Sequence, residues 1–526
     1  MGEILLYYRR PDPTTWVYLS SFLAIGLYFV FHRFWSIRNL DILLIILLAP
    51  GLLIVHEGYR RQLVQSEALV LAASSGKVPD RPTSDIKSVK SLASSLPIFA
   101  LFQIDTDPVA DAAETSDSLE TETTDAAETD AAETSDQPPA AEPIPLGPRD
   151  IQRWGFIYLF IVEAFLLLRL MLDPLMVRRP LLDPNLTSGG LTFIGISLFI
   201  FMMANVVTSD SRIQVTQGPA LGPGYAMMNM LPAIPTRPVS DEIGGVSLQE
   251  MPTATEMSKS QSRLATVAKA LAIAAHLAIV TGIVLIGNRH FANIRAGVGC
   301  ATLYLMLPYT AQMTGRVDHA LPAALLLWAV LSYRRPLVAG IFLGLAGGLV
   351  YYPLFLLPLW FSFYWQRGAR QFAIGVIGML ALLMISLSFD DTASLTEHFR
   401  RMFGLLNPNR DSIGLRGFWS LGPEPIWRLP VIVAFVILCA FFAAWPAQKN
   451  LGTLISGSAA VMVASQFWHG YGGGLYIAWF LPLLLLAIFR PNLQDRIATK
   501  VVLTGKRSMG GKSGSAIAGF AAGTQS

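Results

Sequence analysis

Stretches of about 17 to 25 apolar residues recur along nearly the whole chain, the length a helix needs to cross a hydrocarbon core roughly 30 Å thick. They can be placed at 16–31, 40–56, 153–171, 190–207, 265–286, 293–310, 320–333, 337–350, 353–365, 371–388, 429–445, 452–467 and 474–489. Strands of about ten alternating residues, the mark of a membrane β-barrel, do not occur. Only 14% of the residues are charged, against about 25% in a soluble domain. The expected fold is therefore all-α: a polytopic integral membrane protein of about twelve to thirteen transmembrane helices, in a plasma or inner membrane.

Orientation follows from the loops that hold lysine and arginine close to helix ends, which favour the cytoplasmic side. One alternating set of joints carries His32-Arg33 and Arg38, Arg178-Arg179, Arg289 and Arg295, Arg334-Arg335, Arg367 and Arg370, Lys449, and the tail from Arg490. The alternation holds at every joint only if 337–365 crosses twice, turning at Gly347-Gly348 and Tyr351-Tyr352-Pro353. That places the N-terminus outside. Arg9-Arg10 and Arg60-Arg61 run against the pattern, and no A-x-A-like cleavage site follows the first apolar run.

The chain then divides into an N-terminal membrane hairpin (1–56), an acidic loop (57–152), a second hairpin (153–207), a Pro/Gly/Met-rich outer loop (208–264), a main membrane domain (265–489) and a basic cytoplasmic tail (490–526). The acidic loop repeats Asp111-Ala-Ala-Glu-Thr-Ser-Asp117 at Asp125–Asp130 and on to Asp136. Such a segment buries too little apolar surface to offset its ordering entropy and is expected to be disordered. In the outer loop, the Met-Met-Asn-Met-Leu patch at 227–231 either dips into the membrane interface or packs on other loops. The stretch Leu395 to Leu406 is basic and amphipathic and suits the headgroup region.

Ionisable groups inside a bilayer are costly enough to be functional candidates. Glu163 lies in mid-span; Arg169, six residues on, is on another face and can snorkel to the cytoplasmic end. His276 stands alone on an apolar helix, as a structural histidine does. The two cysteines, Cys300 and Cys439, lie in apolar spans and read as small buried hydrophobes. The outer face is richer. His56, His319, His398 and His469 all fall there, beside Glu57, Asp318, Asp390, Asp391, Glu397 and Glu424, with Arg316, Arg400, Arg401, Arg410 and Arg416. Carboxylate beside histidine suits a general base or a metal ligand, and arginine clamps phosphate in bidentate fashion. The turn Trp468-His469-Gly470-Tyr471 could stack on a sugar or simply close a hairpin.

Gly315-Arg316-Val317-Asp318, Arg334-Arg335-Pro336, Ala339-Gly340 with Gly344-Leu345-Ala346, Tyr352-Pro353 and Leu357-Pro358-Leu359 follow one another through 315–370. This run resembles the integral-membrane glycosyltransferases of the GT-C class, particularly the polyprenyl-phosphate-dependent, mannosyltransferase-like branch. It departs from them at Val350, where they carry lysine, and in lacking a paired acidic motif near Glu57, which follows the second span instead of the first. The resemblance implies transfer of a sugar from a polyprenyl-phosphate-linked donor at the outer face. Asp318 or Glu57 would be the base, Arg400 or Arg401 would hold the donor phosphate, and Arg316, His319 and His469 would line the substrate site. The cofactor is unassigned, with room for a divalent metal. The lipid bilayer is the expected partner, and no nucleic acid. A transporter would place its site at mid-membrane near Glu163; a non-catalytic scaffold would need no site.

Overall fold

The computed structural model describes residues 13–74, 147–176, 182–209, 215–216, 221–234, 259–366, 368–387, 394–403 and 415–491. The acidic repeat, Arg9, Arg10, Asp390, Asp391, Arg410, Arg178, Arg179, Arg367 and the tail beyond 491 lie outside them, so the disorder expected of 57–152 concerns mostly undescribed residues.

The described chain is a helical bundle. In order it runs α1 (Pro13–Tyr28), α2 (Ile37–Ser74), α3 (Pro148–Met171), α4 (Ser188–Thr208), the two-residue strand β1 (Val215–Thr216), α5 (Tyr225–Asn229), β2 (Pro232–Ala233), α6 (Lys259–Arg289), α7 (Ile294–Met306), α8 (Pro308–Gln312), α9 (Val317–Leu331), α10 (Pro336–Leu349), α11 (Leu357–Tyr364), α12 (Ala369–Leu387), α13 (Leu395–Phe403), α14 (Arg428–Ala444), α15 (Leu451–Ala464) and α16 (Leu481–Phe489). The strands pair antiparallel, Val215 with Ala233 and Thr216 with Pro232. Six helices are long and apolar enough to cross a membrane, and six shorter apolar helices accompany them. With α16, each expected span finds its helix. This is an all-α, multi-pass integral membrane protein.

Three spans differ in detail. Helix α2 does not stop at residue 56 but runs to Ser74, so Glu57 sits on a helix. The last span is not one rod: it opens with a turn, then a 3-10 turn at Ile477–Trp479, then α16. Arg169 does not snorkel freely; its guanidinium is bidentate to Asp41 at 2.7 and 2.9 Å and also reaches Asp173 at 3.1 Å. Arg490 closes on the other oxygen of Asp173. Two arginines and two aspartates thus join α2, α3 and the end of α16 in a charge-balanced buried network, as intramembrane charges require.

The hairpin at 337–365 forms as read. α10 ends at Leu349, the chain turns at Val350–Tyr351, and a 3-10 turn (Tyr352–Leu356) leads into α11. Its far end returns to the joint it left, where Tyr364 Oη donates to the Tyr333 carbonyl at 2.6 Å. α10 is held by α12 through small residues. A Cβ on Gly340 would meet the Phe372 carbonyl oxygen at 2.3 Å, and one on Gly375 the Leu337 carbonyl at 2.4 Å. Without a hydrophobic drive between helices in lipid, such backbone contact is what associates them.

The joints sort to two ends. At one, Arg38 donates to the Asp183 carbonyl, Arg295 to those of Pro184 and Leu186, and His290 bonds the Leu331 carbonyl. Ser362 Oγ donates to the Ala443 carbonyl there, near Lys449, which caps α14 through the carbonyls of Ala443 and Pro446. Every described member of the arginine-bearing set lies at this end. At the other end Gly315, Gly348 and Tyr351 meet the loop 221–234, and Arg416 meets Gly470.

Gly375→Ala should lower thermal stability in detergent by about 1–3 kcal/mol through overpacking. Gly378→Ala, with nothing within 4 Å of its added Cβ, should be neutral or stabilising by about 0.5–1 kcal/mol. Equal effects at the two positions would dismiss the close α10–α12 contact.

Candidate functional site

Chain geometry at Gly315 brings the charges together. α9 begins at Val317, so Asp318 falls in its first turn, where the helix dipole favours a carboxylate. Arg316, just before the helix, folds back and grips Asp318 in bidentate fashion, Nε to Oδ1 at 2.7 Å and Nη2 to Oδ2 at 2.6 Å. Arg316 is 1% and Asp318 7% exposed, so this is a desolvated pair, strong only because its geometry is good. Trp479 Nε1 donates to the Asp318 carbonyl at 3.2 Å and ties α9 to the last span.

The neighbouring His319 bonds Tyr309 Oη through Nδ1. Its ring starts a column. His319 stacks on Tyr476 at 4.5 Å, Tyr476 on His469 at 4.6 Å, His469 on Tyr352 at 4.8 Å, and Tyr352 on Tyr351 at 4.5 Å. The column links residues from four separated segments. His469 Nδ1 accepts from the Tyr471 amide at 2.9 Å, so in the neutral ring the proton sits on Nε2. Burial, then the charge of Arg428 and the nearby His319, pull the His469 imidazole from its ordinary 6.5 down to about 3. It is neutral at physiological pH.

Two more arginines flank the column. Arg428, fully buried, donates from Nε and Nη2 to the Trp468 carbonyl. The Arg416 guanidinium lies 4.8 Å over the Tyr471 ring, placed there by backbone bonds between 416 and both Gly470 and Gly472. The cluster therefore holds three guanidinium groups and, among the described residues, one carboxylate. Arg316 Nη1, Arg416 Nη1, His469 Nε2 and Tyr476 Oη are buried without hydrogen-bond partners among the described residues. Three of these four are N–H donors and the fourth a hydroxyl, so the cluster is matched to a group rich in acceptor oxygens and negative charge.

Beside it lies a small, half-open apolar cleft between α2, the α7–α8 junction and the start of α16. Leu48, Leu52, Pro308, Ile477 and Leu481 line it together with Tyr309, whose hydroxyl is the one bonded to His319. A single aromatic side chain thus separates an apolar cleft from the charged cluster.

Of the residues singled out in the sequence, Arg316, Asp318, His319 and His469 come together here. Glu57 is held on the surface of α2 by Arg60 and Arg61 at 2.9 and 2.7 Å. Arg400 is exposed on α13, and Arg401 belongs to the same helix. His398 bonds Tyr225 Oη, away from the column. His276 is satisfied on both nitrogens, by Tyr304 Oη at 3.0 Å and the Thr314 carbonyl at 3.2 Å, as a structural histidine should be. Glu163 is buried in α3 with neither oxygen hydrogen-bonded among the described residues. Sequence reasoning missed Tyr309, Tyr476 and Arg428, which hide inside or at the edge of apolar runs; the glycine-rich turn at 470–474 was the available signal. Among the described residues no three of His, Cys, Asp and Glu gather as a metal-ligating group.

Residues 252–467, about two fifths of the chain, match the model of glycosyltransferase family 87, a GT-C type membrane family. The match supports a GT-C class membrane glycosyltransferase and extends the resemblance first seen at 315–370. It encloses Arg316, Asp318, His319, Arg416 and Arg428, and ends two residues before His469. No curated protein and no solved structure matches the chain.

Removing one partner of the buried pair leaves an uncompensated charge. Arg316→Met should lower thermal stability by about 3–5 kcal/mol, and adding Asp318→Leu should restore most of it. A double variant as unstable as the sum of the singles would show that the two groups are not a pair.

Proposed function

We propose that this membrane glycosyltransferase takes its sugar from a lipid-phosphate donor at the extracytoplasmic face. The observation that carries the reading is, among the described residues, the excess of guanidinium over carboxylate in the cluster, with unpartnered donors on Arg316, Arg416 and His469, beside a small apolar cleft. A lipid phosphate has those two halves: an anionic head with acceptor oxygens and an apolar tail. The orientation rests on the alternating set of short joints with Arg38, Arg295, Arg334-Arg335 and Lys449; read as cytoplasmic by the positive-inside preference, that set leaves the cluster on the opposite side.

In the reaction the bond between the sugar C1 and the phosphate oxygen breaks, and one from an acceptor hydroxyl oxygen to C1 forms. The phosphate leaves with both electrons of the broken bond. Arg316, with Arg416 and Arg428, stabilises the charge that grows there, an electrostatic task guanidinium groups do well in a dry site. The acceptor's proton goes to a carboxylate. Asp318 is the carboxylate of the cluster and takes that role here. Its two bonds to Arg316 also aim the guanidinium, so one residue serves both partners of the reaction. Glu57 is the alternative base. His469 Nε2–H and the Tyr476 hydroxyl are placed to hold sugar or phosphate oxygens. Arg400 and Arg401, on a surface helix, serve at headgroup level and not at the reacting centre.

Membranes carrying the protein should transfer label from polyprenyl-phosphate sugars. Asp318→Asn should cut transfer by about 100-fold or more, the range of a lost general base, and Glu57→Gln by less than about tenfold. The reverse order would move the base to Glu57. No chain-dependent transfer from any lipid-phosphate sugar would end the reading.

A further inference from the structure

The loop 221–234 caps the cluster. Gly224 N donates to the Gly348 carbonyl at 2.8 Å, Tyr351 N to the Leu221 carbonyl at 2.6 Å, and Ile234 N to the Gly315 carbonyl at 3.4 Å. Those three anchors flank Arg316 and the Tyr351-Tyr352 end of the ring column. Gly222 is there because nothing larger fits: a Cβ would meet the Gly348 carbonyl oxygen at 2.4 Å. The cap is therefore fixed in depth relative to the site beneath it.

Its short helix is two-faced. Tyr225 and Met228, three residues apart, point inward and are buried, as is Leu231. Met227 and Met230, also three apart, point outward and are 55% and 69% exposed. Tyr225 packs with Leu387 at the end of α12 and with Met402 of α13. α12 itself presents an apolar stripe outward, with Ile374, Ile377, Leu382 and Ile385 all exposed. In a multi-pass membrane protein that stripe faces acyl chains. The cap stands where the stripe ends. α13 has spent its inward side on the cap, with His398 and Met402 buried, and leaves Thr396 and Arg400 exposed. At the same end Ile426 and Trp427 are exposed before α14, as interface residues are.

We infer that the edge formed by Met227 and Met230 docks on the lipid surface, seated at the boundary between acyl chains and headgroups. Flexible thioether side chains fill an irregular, mobile environment well, and the exposed pair, Met227 on α5 and Met230 in the turn after it, forms a small apolar foot. The foot sets the depth of the cap, and the cap sets the depth of Arg316. The inference concerns where the protein sits and does not depend on the reaction proposed above.

The test uses the full chain in phosphatidylcholine–phosphatidylglycerol nanodiscs, with a bimane label on Met227→Cys, Met230→Cys or, as the control, Asp150→Cys, exposed in the first turn of α3. The native Cys300 and Cys439 are buried. Lipids with a doxyl group near the headgroup should quench labels at 227 and 230 at least about twofold more than at 150, and aqueous iodide should show the opposite order. Iodide quenching at 227 and 230 equal to that at 150 would place the edge in water and overturn the inference. Protection from both quenchers would mean that protein covers it, and would overturn it equally.

Discussion

The Arg316–Asp318 pair is the constraint around which the cluster end is built. Two opposite charges taken out of water cost several kcal/mol each, and only close bidentate geometry with further hydrogen bonds offsets this. Here the chain turn at Gly315 and the first turn of α9 supply the geometry. Trp479, the ring column and the cap exclude water around it. Because Asp318 engages two nitrogens of Arg316, the third is left to point elsewhere. A pair that served stability alone could be replaced by apolar residues without loss; one that presents a spare guanidinium nitrogen has a reason to stay ionic.

The opposite end solves a related problem with a different result. Among the described residues, Asp41, Arg169, Asp173 and Arg490 join helices as two cations on two anions. The cluster differs in that it gathers three guanidinium groups around one described carboxylate. Between the ends, glycines on α10 and α12 hold the helices at backbone contact, so the site rests on a rigid frame.

Much of this was legible in the chain. Apolar run length located each helix, and the demand that arginine joints fall on one side required the double crossing at 337–365, which the Tyr364–Tyr333 bond closes. Asp318 was readable because only the best-supported spans determine its place. What hydropathy could not show falls into three kinds. Helix α2 continues past residue 56 because an amphipathic stretch can be helical without being apolar. The bidentate partner of Arg169, Asp41, is 128 residues away, which no local spacing reveals, although its second partner Asp173 stands at i+4. Tyr309, Tyr476 and Arg428 look like span residues because a membrane helix tolerates tyrosine and a terminal arginine, so their convergence is a property of the packing alone. Arg400 is plain in the sequence and is exposed on α13, whereas Arg316, within a motif equally plain, is buried in the cluster.

Sidedness decides the account. An extracytoplasmic lipid-phosphate reaction requires the cluster to face away from the cytosol. Glu424 is exposed at the cluster end and Arg334 at the opposite end. Intact cells carrying either Glu424→Cys or Arg334→Cys, treated with a membrane-impermeant maleimide, should be labelled at 424 and remain unlabelled at 334 until permeabilised. Labelling of 334 from outside with 424 protected would place the three arginines and Asp318 in the cytoplasm and contradict it.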